Sequence, residues 1–118
     1  MEFHGDVPIY LQIVNNIKAN ITSGKWELGM RMPSQRDYAK EMKVNPNTIS
    51  KVYQELERLE IVETLRGVGT FIVNDEAFIA RLKFEELEKM VVDIATEVKQ
   101  KGYDIEKFME ALREELEK

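Results

Sequence analysis

Met32-Pro-Ser-Gln-Arg-Asp-Tyr-Ala-Lys-Glu-Met42, Val44-Asn-Pro-Asn-Thr-Ile-Ser-Lys-Val-Tyr-Gln-Glu-Leu56 and Ile61-Val-Glu-Thr-Leu-Arg-Gly-Val-Gly-Thr-Phe-Ile-Val73 follow one another almost without a gap, and their order decides the fold. Ser34 is placed to cap a short helix ending near Met42. Asp37 completes a capping-box pattern, and Pro33 blocks extension backwards. Asn45 offers its side-chain oxygen to the next unpaired backbone N–H groups. Pro46, at the first helical position, needs no donor and already holds a helical φ. A second helix is therefore expected from Pro46 to about Leu59. Ile49, Val52, Tyr53, Leu56 and Leu59 recur at spacings of three and four and form one buried stripe, opposite Asn47, Ser50, Lys51, Gln54 and Arg58. Two alternating segments follow, Ile61 to Leu65 and Thr70 to Val73. Arg66-Gly67-Val68-Gly69 joins them, the glycines supplying the positive φ of a tight turn. Helix, turn, helix, hairpin is a winged helix-turn-helix.

A helix whose first turns present Asn, Thr, Ser and Lys suits the major groove of duplex DNA. Asn can bond adenine bidentately, Thr and Ser reach base edges or phosphates, and Lys neutralises phosphate or contacts guanine. The hairpin offers a second contact through Arg66 at its tip, which can enter the neighbouring minor groove.

Met32-Pro-Ser-Gln-Arg36, Val44-Asn-Pro-Asn-Thr48 and Arg66-Gly-Val-Gly-Thr-Phe71 together resemble the DNA-binding domain of the GntR family of bacterial transcription regulators, over roughly residues 7 to 74. The Val-Asn-Pro-Asn-Thr wording and the short tail resemble its YtrA subfamily most. The resemblance implies that Arg36 contacts phosphate or base, that residues 45 to 51 read the groove, and that Gly67 approaches the DNA backbone. It also implies a dimeric repressor. The chain departs from the family at Val68, where a basic residue is common. The candidate DNA-binding set is Arg36, Asn45, Pro46, Asn47, Thr48, Ser50, Lys51, Arg66, Gly67 and Thr70.

The chain has 118 residues, 43% of them hydrophobic, enough for one compact domain with an extension and too few for a separate enzyme domain. It has no cysteine, so neither disulfides nor thiolate metal sites are available, and the composition suits a reducing cytoplasm. No apolar run approaches a membrane span, and the first residues lack a basic region followed by an apolar one. The net charge of −5 counts at first against a nucleic-acid partner. Residues 1–74, however, carry nine acidic and nine basic side chains, and residues 75–118 thirteen and eight. The acidity therefore lies in the tail, while Arg31, Arg36, Lys40, Lys43, Lys51, Arg58 and Arg66 surround the helix-turn-helix.

Upstream, Ile9, Ile13, Ile17 and Ile21, with Tyr10 and Val14, predict a first helix from Pro8 to Ser23 that packs under the next two and stops at Gly24. Tyr10 and Trp26 are read as closing the core. The linker Lys25 to Arg31 is a loop, with a short strand at Met30 to Met32 to pair with the wing. Met30, Met32 and Met42 fill core gaps. Beyond the wing, Asn74-Asp75 caps a long helix whose Phe84, Leu87, Val91, Ile94 and Val98 form a coiled-coil-like seam. Lys99 and Lys101 favour its negative end and Gly102 terminates it. Asp104 caps a last helix with Ile105, Phe108, Met109, Leu112 and Leu116 on one face. The expected architecture is mainly α with a small β-hairpin. Residues 1–74 form the DNA-binding domain, and 75–118 a helical hairpin that dimerises through Phe84, Leu87, Val91, Ile94, Val98, Phe108 and Leu112.

Other chemistries fit poorly. Gly67-Val-Gly-Thr precedes a strand, whereas a dinucleotide loop precedes a helix and needs a third glycine. The carboxylates of Glu85, Glu86, Glu88 and Glu114 to Glu117 fall on solvated helix faces, outside any pocket that would tune them for catalysis. His4 is the only histidine and has no metal-binding neighbours, so no metal, cofactor or enzymatic activity is expected. The rival from another class is a winged helix serving as a protein-docking module. It would show apolar anchors on the exposed face of the second helix, where this chain shows Asn45-Pro-Asn-Thr48. The predicted partners are operator DNA and a second copy of the chain. A small-molecule effector, where one is used, is expected at the dimer interface or between tail and DNA domain.

Overall fold

A computed structural model describes residues 1–118. The elements run α1 (Ile9–Thr22), α2 (Gln35–Met42), α3 (Pro46–Arg58), β1 (Val62–Leu65), β2 (Gly69–Ile72), α4 (Glu76–Lys101) and α5 (Ile105–Leu116). The chain divides into two compact units, Met1–Ala80 and Arg81–Lys118.

In the first unit, α1 and α2 each pack on α3, and the base of the hairpin closes the core beneath it. Ile13, Val14, Ile17 and Ile21 of α1 are buried with Ile49, Val52, Tyr53 and Leu56 of α3 and with Ile61, Val62 and Ile72 at the hairpin base. Ile79, in the first turns of α4, joins them. Ile9 was expected in the α1 stripe but is exposed. Residues spaced strictly by four drift about 40° around a helix at each step, so Ile9 lies at the rim of the arc centred on Ile13 and Ile17. Gln12 is buried instead, and its amide is fully used. Nε2 donates to the carbonyls of His4 and Val7, both at 2.7 Å, and Oε1 accepts from His4 N–H at 3.1 Å. The side chain thereby fastens the segment before α1, whose N-cap position, Pro8, has no capping side chain.

The hairpin is antiparallel, pairing Val62 with Ile72 and Leu65 with Gly69. The expected Met30–Met32 strand is reduced to one bridge, Arg31 opposite Phe71, flanked by Met32 N–H to Thr70 O at 2.7 Å and Ile72 N–H to Met30 O at 2.9 Å. Met32 is buried as expected, while Met30 and Met42 are only half-covered.

In the second unit, α4 ends in Gly102 at φ +67°, with Tyr103 N–H bonded back to Val98 O at 3.2 Å. Asp104 then caps α5 by accepting from Lys107 N–H at 3.0 Å. The apolar stripes are not hidden between these helices. Phe84, Leu87 and Val91 are each more than half exposed, Ile94, Val98 and Phe108 are half-covered, and no residue of α5 is buried.

Leu56 has no exposed surface, so truncating it opens a cavity in the core. Leu56→Ala is expected to lower unfolding stability by about 2–5 kcal/mol, as read by urea denaturation. A loss below about 1 kcal/mol would mean that the core can collapse around the cavity.

Candidate nucleic-acid interface

Three local devices set the direction of α3. Asn45 Oδ1 accepts from Asn47 N–H at 2.8 Å, and Pro46 occupies the first turn, so the N-terminus of the helix is fixed by its own sequence. The turn before it is made by Lys43, in the left-handed conformation at φ 57°. From the opposite side of α3, the Tyr53 hydroxyl donates to Pro33 O at 2.6 Å, tying the middle of the helix to the residue ahead of the α2 cap. Rings continue this join. Tyr38 lies 6.3 Å from Tyr53 and 6.5 Å, edge-on, from Trp26. Burial pushes both phenols up from their usual range.

The cap of α2 is half of what the sequence suggested. Ser34 Oγ accepts from Asp37 N–H at 3.1 Å, but Asp37 returns no bond to Ser34 N–H. A carboxylate one methylene shorter than Glu reaches back less readily.

With α3 held this way, Asn45, Pro46, Asn47 and Lys51 are exposed, and Thr48 and Ser50 are half-covered. Arg36 is exposed in the first turn of α2, and Arg66 and Gly67 are exposed at the hairpin tip. Gly67, at φ +77°, occupies the turn closed by Val68 N–H to Leu65 O at 2.9 Å. Thr70 is half-covered, and its hydroxyl is shared with that of Thr64 at 3.1 Å across the pair. Lys51 does not extend freely from the exposed face. Its Nζ lies 4.6 Å from the centroid of the Tyr10 ring, a cation–π contact that leans it toward α1. Arg58, further along the same face, is bonded to Glu55, which holds that carboxyl below its ordinary range and raises the guanidinium.

The family profile described as bacterial regulatory proteins, gntR family, matches residues 9–72, more than half of the chain. The chain belongs to the GntR family. It is 37% identical to the Bacillus subtilis HTH-type transcriptional regulator YhcF over 95% of this chain and 93% of that protein. It is also 36% identical to the Bacillus subtilis HTH-type transcriptional repressor YtrA, over 91% of this chain and 83% of that protein. A solved GntR family transcriptional regulator from Listeria monocytogenes superposes with TM-score 0.87 at 33% identity, covering 95% of this chain and 98% of that one. These likenesses place the chain in the YtrA subfamily. It is a DNA-binding transcription regulator with the winged helix and C-terminal helices of that family, and its relatives are not enzymes. No helix of this regulator is long and apolar enough to cross a membrane.

Within this GntR fold, Tyr10 and Trp26, both expected to close the core, are half-covered. The periodicity of Tyr10 with Val14, Ile17 and Ile21 correctly turned it toward α3. The first turn of α1, however, meets α3 beside its solvent face, so the ring receives Lys51 and is only half-buried.

The α3 cap is separable from side-chain recognition. Asn45→Ala is expected to lower thermal stability by about 1 kcal/mol, and Asn45→Ser to restore most of it. Equal melting temperatures for wild type and Asn45→Ala would show that the Asn45–Asn47 bond carries no stability.

Proposed function

We propose that this regulator is a homodimeric repressor that reads a pseudo-palindromic operator in the cytoplasm, with α3 in the major groove and the wing on the adjacent backbone. The observation that carries this reading is the first two turns of α3, where Asn47, Ser50 and Lys51 project from a helix end fixed by Asn45 and Pro46 and show no apolar anchor. Asn47 is assigned to a base edge, since its amide has a donor and an acceptor to offer adenine. Arg36 and Arg66 are assigned to phosphates, which position the domain without reading sequence. Gly67, with no Cβ, lets the turn come close to the DNA backbone.

Dimerisation is assigned to the exposed stripes of α4 and α5. Helices gain most of their stability by burying an apolar face, yet Phe84, Leu87 and Val91 on α4 are more than half exposed in the single chain, and Met109 and Leu112 on α5 stay partly exposed. A second copy supplies the matching surface through a twofold axis, and two α3 helices then read two half-sites. An effector, if the protein uses one, would act by favouring one separation of those two helices.

Selection of sites from random duplex DNA, with the oligomeric state measured in parallel, tests the whole reading. An enriched motif with twofold symmetry is expected. Salt-sensitive binding without a motif would leave an architectural role, and no binding would favour a protein-docking module. Asn47→Ala is expected to cost about 1–3 kcal/mol on the selected site and to relax preference at one base pair. An equal loss on random DNA would remove its assignment as a base reader. Ile94→Glu is expected to give a monomer by light scattering, and a variant that stays dimeric would put the interface elsewhere.

A further inference from the structure

The geometry points to Arg31 as a DNA-contacting residue of the wing, supplied from outside the hairpin and directed at phosphate. Its backbone is fixed against β2. Arg31 sits opposite Phe71, and the bonds from Ile72 N–H to Met30 O (2.9 Å) and from Met32 N–H to Thr70 O (2.7 Å) bracket it. Strand alternation separates the side chains of this segment. Met32 turns inward and is buried with Val62 and Ile72, while Arg31 turns to the outer face shared by Phe71, Glu63 and Leu65.

The guanidinium does not run straight out from this position. A Cβ built on Gly69 would lie 2.8 Å from Arg31 Nε and 3.3 Å from both Cζ and Nη2. Gly69 opens β2, two positions nearer the turn than Phe71. The side chain therefore lies along β2 toward the tip, in a lane that exists because residue 69 has no side chain. Arg31 is exposed and makes no ion pair, although Glu63 shares its face. An unpaired guanidinium carried toward the end of a hairpin presents a planar fork of donors, the geometry that matches phosphate oxygens. The turn itself provides one cation, Arg66, beside the apolar and exposed Val68. Arg31 gives the wing a second positive charge that the hairpin sequence does not contain.

This inference rests on the DNA-binding reading, and its test separates the two. Binding of wild type, Arg31→Gln and Arg31→Lys to the selected site and to a random duplex is followed by fluorescence anisotropy across a salt series, with melting temperatures alongside. Arg31→Gln is expected to weaken both duplexes by the same factor, about five- to tenfold near physiological salt, and to reduce the slope of log affinity against log salt by about 0.9. Arg31→Lys is expected to keep the slope, because the charge remains. An unchanged slope in Arg31→Gln overturns the assignment. So does a loss that Arg31→Lys shares together with a lowered melting temperature, which would make Arg31 a packing residue of β2. Wild-type protein that bound neither duplex would overturn the DNA-binding reading itself.

Discussion

Tyr53 belongs to both halves of the helix-turn-helix. Its ring is buried in the α3 stripe beside Tyr38, and its hydroxyl reaches the carbonyl of Pro33, ahead of the cap of α2. Apolar burial alone is non-directional and would let α3 slide or roll against its neighbours. A short hydrogen bond in a half-dry setting adds direction and leaves no buried acceptor unpaired at that point. The cap at Asn45 then fixes where α3 begins, and Tyr53 fixes how it lies on α2. The exposed side chains of its first turns inherit both constraints.

The parts of this architecture legible in the sequence were those governed by neighbours close along the chain. Pro46 after Asn45, the spacing of Ile49, Val52, Tyr53 and Leu56, and the glycines around Val68 each follow from local backbone or helical geometry, and the corresponding elements stand within a residue or two of their expected limits. The misjudged residues depended on what lay across the fold. Ile9 had the right spacing, but helical drift and the lack of a neighbour left it at the rim. Gln12 has nothing in its spacing to mark it as buried. Its reason for burial is the segment His4 to Val7 folding over it. Lys51 was readable as an exposed cation, but its lean onto Tyr10 required the crossing of α1 and α3.

The candidate interface shows the same division. Residue types and their exposure came from the sequence, while the way the cations are distributed came from packing. Of the positive side chains around the helix-turn-helix, Arg58 is committed to Glu55 and Lys51 rests on an aromatic ring, whereas Arg31 lies unpaired along the wing. A neutral first part of the chain can thus present positive charge locally, because some cations are neutralised by neighbours and others are left available.

The exposed apolar faces of α4 and α5 have a consequence beyond geometry. Under the proposed pairing of these helices with a second copy, their order would follow mass action. A halving of protein concentration then reduces the population of paired tails by more than half while pairing is weak. On that proposal, protein concentration would itself be an input, one that needs no ligand and responds more steeply than the number of molecules alone.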